Sequence, residues 1–146
     1  MSLDNLVGIS LERITIDAAV IGRLLSAANR NIADAHVTEI SSENQFDAAY
    51  KAIMQMANLA LQANGYRTLT SKSGHHMTMI QLLSQTIGLD KQTVIALDAL
   101  RKQRNAADYT GGIIPPSLVE ECVAHAEDLH TQVVQWIEKN RPKLLE

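Results

Sequence analysis

The sequence predicts an all-α protein, a bundle of four to five helices in a single domain spanning residues 1–146. Only 3% of the residues are aromatic, while Leu, Ile, Ala and Met supply most of the apolar surface, which favours helices over sheets. Apolar residues recur at spacings of three and four in several long segments, the pattern of amphipathic helices. A chain of 146 residues can also bury a substantial core without disulfides.

The first two predicted helices carry most of this pattern. Residues 10–35 alternate three- and four-residue apolar spacings, and Ser10 is a suitable N-cap. Ser42 and Gln45 form a capping-box pattern ahead of a segment that is apolar over most of its circumference, so this second helix is predicted to be central. Gly65 marks its end.

The next segment is a loop, residues 66–74, rich in Ser, Thr and Gly. A third helix is predicted to open at His75 and to end at Gly88. Asp90 then provides an N-cap for a fourth helix that begins near Lys91.

A fifth helix is predicted over residues 118–139. Two glycines at 111–112 break the chain before it, and prolines at 115–116 suit its first turn. Pro142 ends it, and Cys122 lies on its apolar line, where a buried, unreactive thiol is expected.

Composition also limits the class of function. A net charge of −3 argues against a general basic coat for nucleic acid, and a single cysteine is typical of a reducing compartment. The N-terminus lacks the basic region of a signal peptide, and no apolar run is long enough to span a bilayer. We therefore expect a cytoplasmic protein with no membrane contact. The five histidines show no metal-ligand spacing, and no cofactor motif is present, so neither a metal nor a cofactor is predicted.

Four polar residues near the end of the fourth helix are the candidate ligand-binding site. Arg101, Arg104, Asn105 and Asp108 are spaced to share about a quarter-turn arc of the helix. Toward the N-terminus, the same stripe of the helix carries apolar residues such as Leu97. The four polar residues therefore continue the face that packs on the core, whereas polar residues of a surface helix lie on the opposite face. This pattern predicts a cleft or a partner interface.

The segment Arg104–Tyr109, Arg-Asn-Ala-Ala-Asp-Tyr, resembles the signature of HEPN domains in their Arg-x-x-Ala-Asp-Tyr form. The common HEPN motif places a histidine four to six residues after the Arg-polar pair, where this chain has Tyr109; its next histidine is His125. The resemblance extends to residues 46–50, 65–67 and 74–76 and covers most of the chain.

The HEPN resemblance implies an antiparallel bundle, usually a homodimer, in which the Arg-polar pairs of two protomers face a shared cleft. Members with the histidine cut RNA there, often as the toxin of a toxin–antitoxin or defence system. Members without it bind RNA or nucleotides, or partner nucleotidyltransferase-like proteins. The leading expectation is therefore an RNA- or nucleotide-binding homodimer with an Arg104/Asn105 cleft and an antitoxin or nucleotidyltransferase-like partner.

Nuclease activity stays open. If the protein is a metal-independent ribonuclease, the candidate catalytic residues are Arg104, Asn105 and Tyr109. Arg104 can bind phosphate through its planar fork, and Asn105 can orient a phosphate or a base edge. Tyr109 is a poor general base because its ordinary pKa is near 10. His75 or His76 could instead reach the cleft and replace the missing histidine.

A structural alternative stays open beside it. Arg101, Arg104 and Asp108 can form an ion network that fixes a helical dimer, with Tyr109 packed on the core at the helix end. The protein would then be a non-catalytic protein-interaction module. A metal-dependent helical-bundle enzyme is a third alternative, which a metal analysis of the purified protein would test.

Overall fold

The computed structural model of the protein describes residues 3–71 and 74–146 and confirms a mostly helical fold. The described helices are α1 (Ala18–Ala35), α2 (Ser42–Ala63), α3 (His75–Gln81), α4 (Leu83–Thr86), α5 (Lys91–Thr110) and α6 (Pro116–Asn140). The third predicted helix is present as two pieces, α3 and α4, which meet at Leu82. Short 3₁₀ turns cover Leu3–Leu6 and Pro142–Leu145.

The first predicted helix begins too early. Residues 11–13 form a strand, β1 (Leu11–Arg13), that pairs antiparallel with β2 (Tyr66–Thr68), a strand inside the predicted loop. Helix α1 starts only at Ala18, after an N-cap at Asp17 whose side chain accepts from Ala19 N. The β-branched residues that follow β1 are poor helix formers, and pairing with a distant segment decided the outcome. Residues 72–73 of the predicted loop lie outside the described residues.

Helix α2 is the centre of the bundle, as predicted. It packs against α1 and α6 along its length, and twelve of its residues are buried. Its N-cap is Ser41, whose side chain accepts from Asn44 N, so the predicted cap at Ser42 is one residue late. Gly65 follows the helix in the left-handed conformation (φ +89°), which glycine adopts without steric cost.

Helices α5 and α6 confirm the remaining boundary signals. The side chain of Asp90 accepts from Thr93 N at the start of α5, and Gly111 ends that helix with φ +66°. Helix α6 begins at Pro116, two residues before the predicted start, and ends at Asn140.

Cys122 of α6 is buried in the core, as predicted, and its thiol lies 3.9 Å from the carbonyl oxygen of Phe46. Burial raises the pKa of this thiol to about 12, so it stays protonated. Met54, Met56 and Met79 also fill the core, whereas Met77 is exposed. Among the described residues, no helix combines the length and apolarity needed to cross a membrane.

Candidate functional site

Helix α5 presents the predicted site, and few core contacts hold it. Only Leu97 and Leu100 are fully buried along its twenty residues. It packs against α3, α4 and the first half of α2, while α1, α2 and α6 form the main body of the bundle. Of the predicted polar residues on α5, Arg101 and Arg104 are partly buried, whereas Asn105 and Asp108 are exposed.

Arg104 points toward α2. Its Nε lies 3.4 Å from Asp47 Oδ1, and its guanidinium carbon lies 5.0 Å from the centre of the Tyr50 ring, a cation–π contact. Its Nη1 is 3.8 Å from Asp108 Oδ2 on the next turn of α5. The Nε atom is enclosed and its contact with Asp47 lacks hydrogen-bond geometry. Arg104 is thus fixed between α5 and α2 by electrostatic and ring contacts.

Arg101 has a different partner from the one predicted. Its Nε donates to Asp98 Oδ1 over 2.7 Å, and Lys102 Nζ lies 3.6 Å from the other oxygen of Asp98. Of the predicted network, the Arg104–Asp108 pair is present at 3.8 Å, whereas Arg101 pairs with Asp98, three residues before it on the same helix.

Both arginines keep their outer nitrogens available. Within the described residues, no hydrogen bond engages the Nη atoms of Arg101 or Arg104, and these atoms are not enclosed. Arg101 and Arg104 each form an ion pair through Nε. Arg104 also has a loose contact of 3.8 Å between its Nη1 and Asp108 Oδ2. The terminal Nη pair of a guanidinium is one of the edges that bind phosphate oxygens in a bidentate way.

Tyr50 and His76 complete the site. Tyr50 Oη lies 3.2 Å from His76 Nδ1, so α3 and α2 meet here by a hydrogen bond. The ring of His75 stands edge-on to that of His76, with centroids 4.8 Å apart. His76 and Arg104 thus both contact Tyr50, His76 at its hydroxyl and Arg104 over its ring.

Local charge and burial shift two pKa values here. Burial raises the pKa of Tyr50 to about 12, although Arg104 and Arg101 oppose the shift. Burial also lowers the pKa of His76 below its ordinary value of 6.5, and His75, Arg104 and Arg101 lower it further. At neutral pH the site thus holds a neutral phenol and a neutral imidazole beside two permanent cations.

The other predicted residues lie at the edge of the site. Asn105 is exposed, one helical turn from Arg101. Tyr109 is 93% exposed, so the predicted packing of its ring on the core is wrong for this chain. The geometry that keeps Arg104 against α2 turns Tyr109 outward, because residues five apart on a helix point about 140° from each other.

Sequence reasoning missed Asp47, Tyr50 and Asp98. Asp47 and Tyr50 are three residues apart on α2, hence on one face. The helix carries other polar residues as well, so its sequence did not single out this pair. Asp98 lies three residues before Arg101, the spacing of an intrahelical ion pair.

A pocket of about 270 Å³ is lined by Arg104, and its lining does not include Arg101, Tyr50 or His76. Its polar lining is mostly acidic, from Glu43, Asp47 and Asp108 around Arg104. A larger pocket of about 490 Å³ lies elsewhere, between the end of α1 and the start of α6, and contains none of the predicted residues.

The described residues contain no group of three or more His, Cys, Asp or Glu side chains placed to hold a metal ion. Comparison of the chain with known protein families, characterised proteins and solved structures finds no match.

Proposed function

We propose that this protein binds RNA or nucleotides through their phosphates, using Arg101 and Arg104 with Asn105 at the rim. The observation that supports the proposal most strongly is the pair of arginines whose stems are held in place. Asp98 holds Arg101, and Asp47 and the Tyr50 ring hold Arg104, while no described residue forms a hydrogen bond with their Nη atoms. An arginine whose stem is already fixed loses little conformational entropy when it binds a ligand.

The charge balance of the site makes the expected affinity moderate. Asp98 and Asp47 each compensate one arginine, so bound phosphate meets two cations that are partly neutralised. Direct phosphate contacts by arginines still release counterions from RNA, so binding should weaken as the salt concentration rises.

A second copy of the chain is the proposed partner for the outer face of α5. Ile95 and Tyr109 are 62% and 93% exposed on this helix, and Ala99 and Ala106 lie between them at spacings of three and four. Such a stripe is the pattern of a helix that packs against another helix. Lys102 carries the only charge on this stripe, and a single lysine at such a position can fix the register of two paired helices.

This stripe lies on the opposite side of α5 from Arg104, which faces α2. Asn105 lies between the two faces, so a second copy on the stripe would border the site at Asn105. We accordingly propose a homodimer whose interface adjoins the binding site, with Arg104 held inside each protomer.

The alternative, a non-catalytic protein-interaction module, is favoured by the acidic pocket. Glu43, Asp47 and Asp108 surround Arg104 on that side, and Ile113 beside the pocket is 85% exposed. A basic side chain from a partner such as an antitoxin or a nucleotidyltransferase-like protein would suit these carboxylates. In that case Arg104 serves the fold and the pocket binds the partner.

Replacing Arg104 with alanine is expected to weaken RNA or nucleotide binding by about tenfold or more, since a hydrogen bond to a charged group contributes about 1.5–3 kcal/mol. Asn105→Ala should have a smaller effect, because the Asn105 amide is uncharged and binds phosphate less strongly than a guanidinium does. The measurement is fluorescence anisotropy of a labelled oligoribonucleotide, with unlabelled mononucleotides as competitors, at about 50 and about 150 mM salt.

Two variants separate a loss of contact from a loss of fold. Arg104→Lys keeps the charge near Asp47 but loses the fork, so it should also weaken binding. Arg30→Ala on α1 makes the same charge change at an exposed position away from the site and should bind like the wild type. No RNA or nucleotide binding by the wild-type protein, together with reduced thermal stability of Arg104→Ala, would favour the interaction module.

Asp108→Asn is expected to act in the opposite direction and to tighten RNA binding. Its carboxylate is exposed and 3.8 Å from Arg104 Nη1, so removing it leaves Arg104 less neutralised. Coulomb's law at intermediate dielectric constants gives an increase of roughly threefold to tenfold. The same anisotropy titration measures it, and unchanged affinity would mean that phosphate does not approach Arg104.

A further inference from the structure

The pocket of about 490 Å³ between the end of α1 and the first half of α6 has no part in phosphate binding. Its lining shares no residue with the pocket at Arg104. Its volume lies within the range of about 300–1,000 Å³ that small-molecule sites occupy. Its floor is apolar, because the buried side chains of Ala35, Val119 and Val123 line it.

The charged side chains of this pocket are acidic. Glu120 and Glu127 line it beside His36, and among the described residues no lysine or arginine does. His36 Nε2 lies 3.2 Å from Glu127 Oε1, so Glu127 reaches from α6 toward α1. No described residue forms a hydrogen bond or an ion pair with the carboxylate of Glu120. A cation that enters the pocket therefore meets carboxylates that no permanent cation of the described chain neutralises.

The other polar groups of the pocket also suit a cation. The side-chain nitrogen of Gln45 donates to the carbonyl oxygen of Ala35 over 3.1 Å. No described residue donates to its Oε1, so this oxygen can accept a hydrogen bond from a ligand. Helix α1 ends at Ala35, and the C-terminal end of a helix favours positive charge.

The two carboxylates stand at opposite ends of the apolar floor. Glu120 and Glu127 are seven residues apart on α6, about 20° short of two full turns, so they project from the same side of the helix. Their separation along the helix axis is about 10.5 Å. Val123 and Ala124 line the pocket between them. The pocket thus suits a molecule whose positive charges are separated by methylene groups.

We propose that this pocket binds an aliphatic polyamine, with its terminal ammonium groups at Glu120 and Glu127 and its methylene groups over Val119 and Val123. A linear triamine such as spermidine has an extended length comparable with the spacing of the two carboxylates. A compact metal cation would leave the apolar floor uncovered, and a monoamine would engage one carboxylate only. The inference does not depend on RNA or nucleotide binding, because the arginines of α5 do not line this pocket.

The experiment titrates the nitrogen-15-labelled full chain with spermidine and follows the amide NMR shifts, with calorimetry for the dissociation constant. Saturable shifts are expected to centre on His36, Val123 and Ala124. Shifts centred on Glu43 and Asp108 would place the amine in the acidic pocket at Arg104 and overturn the inference.

Replacing both carboxylates, Glu120→Gln with Glu127→Gln, is expected to weaken spermidine binding by about tenfold, since an exposed charge pair contributes up to about fivefold. The matched control is Glu121→Gln with Glu138→Gln, which removes the same charge from exposed positions of α6 outside the pocket and should bind like the wild type. Both double variants should unfold at close to the wild-type temperature, because all four side chains are exposed. Equal weakening in both would show a general charge effect and overturn the inference.

Two further ligands test the apolar floor and the paired carboxylates. Hexaamminecobalt(III), a trivalent ion without methylene groups, and butylamine, which has one charge, should both bind more weakly than spermidine. Equal affinity for the cobalt complex would show that charge alone suffices, and equal affinity for butylamine would show that only one carboxylate takes part. Either result, or no spermidine binding by the wild type, would overturn the inference and leave the proposed phosphate binding untouched.

Discussion

Ile53→Ala is expected to lower the free energy of unfolding by about 2–5 kcal/mol, the range for an isoleucine truncated in a well-packed core. Ile53 is fully buried in α2, the helix that contacts both α1 and α6. The truncation removes apolar contacts and leaves a cavity that neighbouring helices fill only in part. Urea unfolding followed by circular dichroism at a fixed protein concentration measures the change.

Ile9→Ala is the matched control, because the same side chain is 63% exposed in the N-terminal segment. Its effect should stay within about 0.5 kcal/mol. If the two variants lost the same stability, α2 would not be the centre of the core.

Ile95→Glu is expected to separate the proposed homodimer into folded monomers, with a dimer dissociation constant raised about thirtyfold or more. The carboxylate would be buried against an apolar surface without a partner, and such burial costs about 2 kcal/mol or more. Within one chain Ile95 is 62% exposed, so the fold itself should tolerate the change. Sedimentation equilibrium over a range of concentrations measures the constant.

Ile9→Glu provides the comparison for this prediction. Ile9 has nearly the same exposure, 63%, but lies away from α5. It should leave the association unchanged. A wild-type protein that sediments as a monomer at all concentrations would contradict the proposed dimer, and equal effects of both variants would show that the stripe on α5 is not its interface.

The sequence by itself determined the helical segments and most of their ends. The boundary signals at Asp90, Gly65 and Pro116 are local, because a cap or a turn depends on residues within one helical turn. The central position of α2 was also predictable, since a helix that is apolar around its circumference must be covered on all sides. The Arg104–Asp108 pair is local in the same way, because the two residues are four apart on one helix.

Contacts between distant segments were not predictable in this way. Residues 11–13 became a strand because residues 66–68 were available to pair with them, although their spacing suited a helix. The direction in which Tyr109 points depended on which face of α5 the bundle covers.

The site shows the same division. The motif Arg104–Tyr109 identified one helix, but only the tertiary structure brought Asp47, Tyr50 and His76 from α2 and α3 to it. Local spacing fixes which residues share a face of one helix, whereas the packing of helices decides which faces meet. Only the contact of Arg104 with Asp47 was decided by tertiary structure, because Asp98 and Asp108 lie within about one turn of their arginines on the same helix.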